Sequence, residues 1–169
     1  MSGTHFLKPT DLKMEISRNS ILEETCDYLS RAIPDNCLGK NEVILLCKWI
    51  IQWNKLLPEN QKIIGYKRDY GEKNIGFTYE THKYKKKKPE ILIIKLPGTD
   101  IVDFPDELIL DFYLPKAATD NFKNFIKPCL HSSYQTRWVL HAKDINRMGI
   151  SEVKDLITLA HQLRMKGGH

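Results

Sequence analysis

The sequence predicts an α+β domain: a mainly antiparallel sheet of about five strands with two N-terminal helices and a C-terminal helix packed against it. Three observations carry that prediction. Apolar residues recur at helical spacing near both ends of the chain. The middle of the chain instead groups β-branched and alternating runs, without helices interleaved between them. Prolines and glycines fall between these runs, where turns are needed.

Residues 1–19 are polar and mixed and read as an irregular lead-in to a single domain over 20–166. Ser20 and Glu23 have capping-box spacing, and Leu22, Cys26, Leu29 and Ile33 then form one helical stripe that Pro34 stops. A second helix is capped near Asn41. Its stripe of Val43, Leu46, Cys47, Ile50, Trp53 and Leu57 is widened almost all round by Ile44, Leu45, Trp49, Ile51 and Leu56. Such a helix is buried on more than one side, or it offers residues 41–57 to a protein partner. Extended segments follow over 62–67, 75–79 and 91–96. Leu108, Leu110, Phe112 and Leu114 alternate with Ile109, Asp111 and Tyr113, the pattern of a half-buried strand. Residues 119–127 suit a short helix with Phe122, Phe125 and Ile126 inward, closed by Pro128. A further strand over 136–142 precedes a last helix, which Ser151 caps. There Val153, Leu156, Ile157, Ala160 and Leu163 face inward, and Arg164 and Lys166 offset the dipole at its C-terminal end. Gly167 to His169 read as an expression-tag remnant.

With 169 residues, 41% of them hydrophobic and 28% charged, the composition is that of a globular domain rather than a disordered chain. The net charge is only +5, but residues 62–95 hold ten lysines and arginines against four acids, about +6, so the excess is local. Within it, Lys83 and Lys85 to Lys88 crowd five ammonium groups into six positions between two β-prone runs. Self-repulsion predicts that they project as a hairpin tip. A local basic excess is the footprint expected of a polyanion-binding surface, and a lysine-rich loop kept only for its solvation has the same spelling. The predicted nucleic-acid contacts, to DNA or RNA, are Lys67, Arg68, Lys73, Lys83, Tyr84, Lys85, Lys86, Lys87, Lys88 and Arg137. Tyr66, Tyr70 and Tyr79 could add stacking on bases.

Catalytic patterns are weaker. A restriction-type nuclease needs an acid followed by a Glu-x-Lys pair on neighbouring strands. Glu152 and Lys154 have that spelling but open a helix, and Asp100 and Asp103 have no such strand after them. Cys129, His131 and His141 could form a thiol–imidazole site, though only from closeness in sequence. The remaining cysteines, Cys26, Cys37 and Cys47, lack zinc-ligand spacing, so no metal or cofactor is expected. The chain has no apolar run long enough to span a bilayer and no signal-peptide core, which predicts a cytoplasmic protein with no membrane partner.

Tyr66 to Arg68, Ile75 to Phe77, Ile91 to Leu96, Arg137 to Leu140 and Glu152 to Ala160 follow one another in an order that resembles a known family. It is a small α+β domain of unknown function, often labelled "predicted transport protein", that occurs appended to restriction-type nucleases and defence proteins. The resemblance covers roughly the last hundred residues and implies a nucleic-acid-associated accessory role without catalytic residues.

Overall fold

The computed structural model describes residues 22–67, 73–79, 90–98, 106–114, 122, 124–128 and 137–167. Helix α1 (residues 22–32) is followed by α2 (Lys40–Leu56) and a 3-10 turn at Glu59–Gln61. Strands β1 (Ile63–Lys67), β2 (Asn74–Tyr79), β3 (Glu90–Lys95), β4 (Ile109–Tyr113), β5 (Ile126–Pro128) and β6 (Arg137–His141) come next. A 3-10 turn at Ala142–Asp144 then leads through α3 (Ile145–Met148) into α4 (Ile150–Gly167). The strands form one sheet in the order β1-β2-β3-β4-β6-β5, every neighbouring pair antiparallel. The architecture is therefore the α+β one, with six strands among the described residues rather than about five.

Period-two alternation decides which residues meet the helices. Ile75 and Phe77, Leu92 and Ile94, Leu110 and Phe112, and Leu140 are in register across four strands. They share one continuous core with Leu22, Leu29, Leu46, Ile50, Val153, Leu156 and Ile157 of the helices. Helix α1 lies so close to β1 that a side chain at Gly65 would meet Thr25.

Several local expectations are corrected. β4 is not half-buried, since all five of its residues are buried. Alternation alone assigns Asp111 to water, whereas cations on both flanking strands hold it inside (below). Residues 126–128 are strand, not helix: Ile126, Lys127 and Pro128 pair with Leu140, Val139 and Trp138 of β6. β5 is an edge strand, the one place in a sheet where a proline's missing N–H leaves no ladder bond unmade. Phe122 and Phe125 do pack on the core, while residues 119–121 and 123 of the predicted helix lie outside the described residues, as does Ser20. α2 begins at Lys40 with Gly39, not Asn41, in the cap position, and α4 begins at Ile150, one residue before Ser151.

Two buried polar contacts tie helices together. Cys26 Sγ donates to the Cys47 carbonyl across α1 and α2 at 3.8 Å. The hydrogen bond with Cys26, together with burial, pushes the Cys47 thiol well above its ordinary range, so it stays protonated. Cys26, Cys37 and Cys47 are all free thiols. On α4, His161 lies 2.9 Å from the Gln61 carbonyl through Nε2 and edge-on to Trp53, with ring centroids 5.1 Å apart. A carbonyl only accepts, so Nε2 carries a proton whether the ring is neutral or charged. Burial lowers the His161 pKa from its ordinary 6.5, outweighing the carbonyl, which acts in the opposite direction. As pH falls, the unfolded chain therefore takes up this proton first. Stability is full above about pH 6.5 and is lost progressively below it. Thermal melts between pH 7.5 and 5 are expected to show a His161 contribution that disappears in His161→Phe; an identical pH profile in the variant would rule it out.

Candidate nucleic-acid interface

β2 ends at Tyr79 and β3 begins at Glu90, and the two strands pair down to Thr78 opposite Glu90. Residues 80–89, with five lysines against one glutamate, therefore join two adjacent hydrogen-bonded strand ends. Whatever path they take, their origin is fixed to one end of the sheet.

Other cations are brought to that end by the fold. β1 starts there, with Ile63 opposite Tyr79. The C-terminal turn of α2 is held there because Asn54 Oδ1 accepts from the Ile63 N–H at 2.6 Å and Asn54 Nδ2 donates to the Ile63 carbonyl at 3.2 Å. Lys62 Nζ donates to the carbonyls of Asn54 (2.9 Å) and Lys55 (3.3 Å) in the last turn of α2, where the Asn54 carbonyl also accepts from the Leu57 N–H. α4 ends at the same place: His161 touches Gln61, and the Arg164 guanidinium lies 4.1 Å over the Tyr113 ring. Lys55 and Lys166 are exposed, and Glu59 and Glu90 are the acids nearest in sequence to this end. Lys55, Arg164 and Lys166 thus join the lysine connection at one end of the molecule. Sequence alone assigns the last two only to the helix dipole. A signal for Lys55 is present in the sequence, because the short connection from α2 to β1 sets the end of α2 beside the end of β2.

Not all the predicted contacts gather there. Lys67 closes β1 opposite Ile75, and Lys73 precedes β2, so both belong to the far end of the hairpin. The two ends are about 17 Å apart, the length of a six-residue strand. Lys73 is exposed and donates to the Gly98 carbonyl at 3.3 Å. The side chain of Lys67 and all of Arg68, Lys83, Tyr84 and Lys85 to Lys88 lie outside the described residues, as do Tyr70 and the side chains of Tyr66 and Tyr79.

Arg137 is placed quite differently from a surface phosphate ligand. Its Nε donates to Asp111 Oδ1 at 2.8 Å, its Nη2 to the Asp111 carbonyl at 3.1 Å and its Nη1 to the Glu90 carbonyl at 3.2 Å. Lys95 Nζ reaches Asp111 Oδ2 at 3.1 Å from the other side. The three side chains are 12%, 3% and 10% exposed for Arg137, Asp111 and Lys95. Arg137 is engaged inside the fold, on the sheet face opposite the main core. Asp111 meets both cations on diagonals of the sheet, since its direct partners are Ile93 and Val139. In the neighbouring row, the buried Asn74 is opposite Lys95, and its Oδ1 has no hydrogen-bond partner among the described residues.

The catalytic candidates are not drawn together. Cys129 and His131 lie outside the described residues. His141 Nδ1 is 3.1 Å from Glu107 Oε2, and Lys143 Nζ is 2.8 Å from Glu107 Oε1. Burial would raise the Glu107 pKa, but the Lys143 hydrogen bond and the two neighbouring charges prevail and hold it below the usual carboxylate range. Nearby, Pro34, Cys37, Leu38, Pro97, Leu108 and Lys143 help to line a cleft of about 270 Å³. Burial pushes the Cys37 thiol up, so it is not a ready thiolate. Among the described residues no three histidine, cysteine or acidic side chains gather as a metal site, and no helix is long and apolar enough to cross a membrane. No protein-family model matches the sequence, and no curated protein or solved structure matches it either.

Proposed function

We propose that the protein is a cytoplasmic, non-catalytic nucleic-acid-binding module, the recognition part of a nucleic-acid-processing or defence protein. The observation that carries this reading is the attachment of residues 80–89, five lysines and one glutamate, to paired ends of neighbouring strands. The two flanking strand ends lie at the end of the molecule where Lys55, Arg164 and Lys166 arrive from two other elements. Ammonium groups held near a phosphate backbone bind it by releasing condensed counterions, without reading sequence. Lys67, Arg68 and Lys73, at the other end of β2, would serve only a ligand long enough to run the length of the hairpin.

Fluorescence polarisation with labelled single- and double-stranded oligonucleotides, titrated at several salt concentrations, tests the reading. Binding is expected to weaken steeply with salt. Changing Lys85 to Lys88 together to alanine is expected to weaken it by roughly tenfold or more at low salt. It should also flatten the log–log salt slope by about 0.7–0.9 for each phosphate that is no longer neutralised. Binding by the fourfold variant with an unchanged slope would remove the lysine connection from the interface. No binding by the parent chain even in dilute salt would end the proposal.

A further inference from the structure

α2 carries a second apolar stripe beside the one it buries. Leu45, Trp49, Trp53 and Leu56 follow one another at helical spacing along its flank towards α4. Leu45 is 53% and Leu56 84% exposed, and both tryptophans are partly exposed. The indoles stack nearly parallel, 5.0 Å between centroids at 6°. Lys154 of α4 lies 5.8 Å from the Trp49 ring, and His161 stands edge-on to Trp53. The result is a rigid aromatic ridge with an exposed leucine at either end.

Two features say what fits it. Each indole turns one π-face to the other and Lys154 lies over the Trp49 ring, which reduces the aromatic face open to nucleic-acid bases; two exposed leucines ask for an apolar partner instead. The polar rim is mainly basic; Glu42, one turn before Leu45, is an exception and accepts from Asn146 Nδ2 at 2.7 Å. Lys48 and Lys55 border the stripe on the solvent side of α2, Lys154 borders it on α4, and residues 43–56 contain no acid at all. Glu59 and Asp155 are exposed beyond the end of the stripe and on the outer side of α4.

We propose that this ridge docks an amphipathic helix of a protein partner, one with leucine-type residues on one face and acidic residues flanking them. The apolar face covers Leu45, Trp49, Trp53 and Leu56, as in other helix-in-groove complexes, and the acids meet Lys48, Lys55 and Lys154. The site shares Lys55 with the basic end of the molecule, but its apolar contacts lie outside residues 80–89 and do not depend on nucleic-acid binding.

The probe is a fluorescein-labelled synthetic helix with leucines at i, i+3, i+4 and i+7 and glutamates elsewhere, read by anisotropy and by tryptophan emission. Its control carries lysines in place of the glutamates. The acidic peptide is expected to bind the parent chain in preference to the control. The Leu45→Ser/Leu56→Ser variant, altered only at exposed positions, should weaken binding roughly tenfold or more. Lys48→Glu/Lys55→Glu should shift the preference towards the lysine peptide, while oligonucleotide binding through residues 80–89 persists in the leucine variant. Equal binding of both peptides by the parent chain, no effect of the leucine changes in a variant with an unaltered thermal melt, or no binding at all would each overturn the proposal. A concentration-dependent dimer that Leu45→Ser/Leu56→Ser dissolves would overturn it too, by making a second copy the occupant.

Discussion

Asp111→Asn is expected to lower the stability of the protein by about 3–5 kcal/mol, the cost of leaving buried charge uncompensated. Asp111 is the one carboxylate between two cations on a largely closed sheet face, with Lys95 at 3.1 Å and Arg137 at 2.8 Å. Asparagine keeps the shape and can still accept from Arg137 through its single oxygen. Its amide nitrogen, however, would then face the Lys95 ammonium, donor against donor, and the negative charge is gone. For a chain of this length 1 kcal/mol corresponds to roughly 2–4 °C, so the melting temperature should fall by about 10 °C. The informative control removes all three charges at once: Lys95→Met, Asp111→Leu and Arg137→Met together. Replacing a complete buried ion network with apolar side chains of similar volume is often neutral or stabilising. The triple variant is therefore expected to be more stable than Asp111→Asn, in a denaturant titration of both. If the triple variant is the weaker one, the network contributes net stability and the penalty for a stranded charge is not the main effect. Neither variant touches residues 80–89, so oligonucleotide binding by the folded fraction should be unchanged.

The same network shows where sequence reading reaches its limit. Helical stripes in 22–33, 43–57 and 153–163 and the apolar runs of β2, β3, β4 and β6 are local signals, and each becomes an element close to where its pattern lies. Asp111 and Arg137, by contrast, are 26 residues apart and meet only because β4 pairs with β6 in one particular register. Nothing near Arg137 distinguishes it from an arginine on an open strand. β5 has three residues, one of them a proline, too little for periodicity to register against the phenylalanine pair that precedes it. The lysine run is legible as charge, and the strands on either side of it are legible too. Grouping Lys67, Arg68 and Lys73 with it follows sequence distance, whereas Lys67 and Lys73 belong to the end of β2 opposite Tyr79, about 17 Å along the strand. Arg164 and Lys166 arrive from the opposite end of the chain, through the contacts of α4 with Gln61 and Tyr113.

Position 39 yields the second large effect. Gly39 precedes α2 with φ +89°, a backbone conformation that costs an L-residue about 1–2 kcal/mol. Gly98 has the same φ, so alanine at either position meets that same cost. Their surroundings differ. A Cβ on Gly98 would approach only Lys73, with Nζ at 2.5 Å, the end of a long exposed side chain that can swing aside with the loss of only its exposed hydrogen bond to the Gly98 carbonyl. A Cβ on Gly39 would lie 2.5 Å from Ala142 Cβ and 2.6 Å from the Ala142 carbonyl oxygen, and neither can move alone. Ala142 is buried and opens the 3-10 turn that joins β6 to α3, with its N–H donating to the Leu108 carbonyl at 3.0 Å. Relief would require α2 to separate from that turn, an overpacking cost of about 1–3 kcal/mol on top of the strain. Gly98→Ala should therefore lose about 1–2 kcal/mol, the strain alone, and Gly39→Ala about 3–4 kcal/mol. The difference between the two, read from paired urea titrations, isolates the approach of α2 to the turn after β6 from the backbone cost they share. Equal losses would mean that α2 does not approach Ala142 this closely, and that its first turn is set by Gly39 conformation alone.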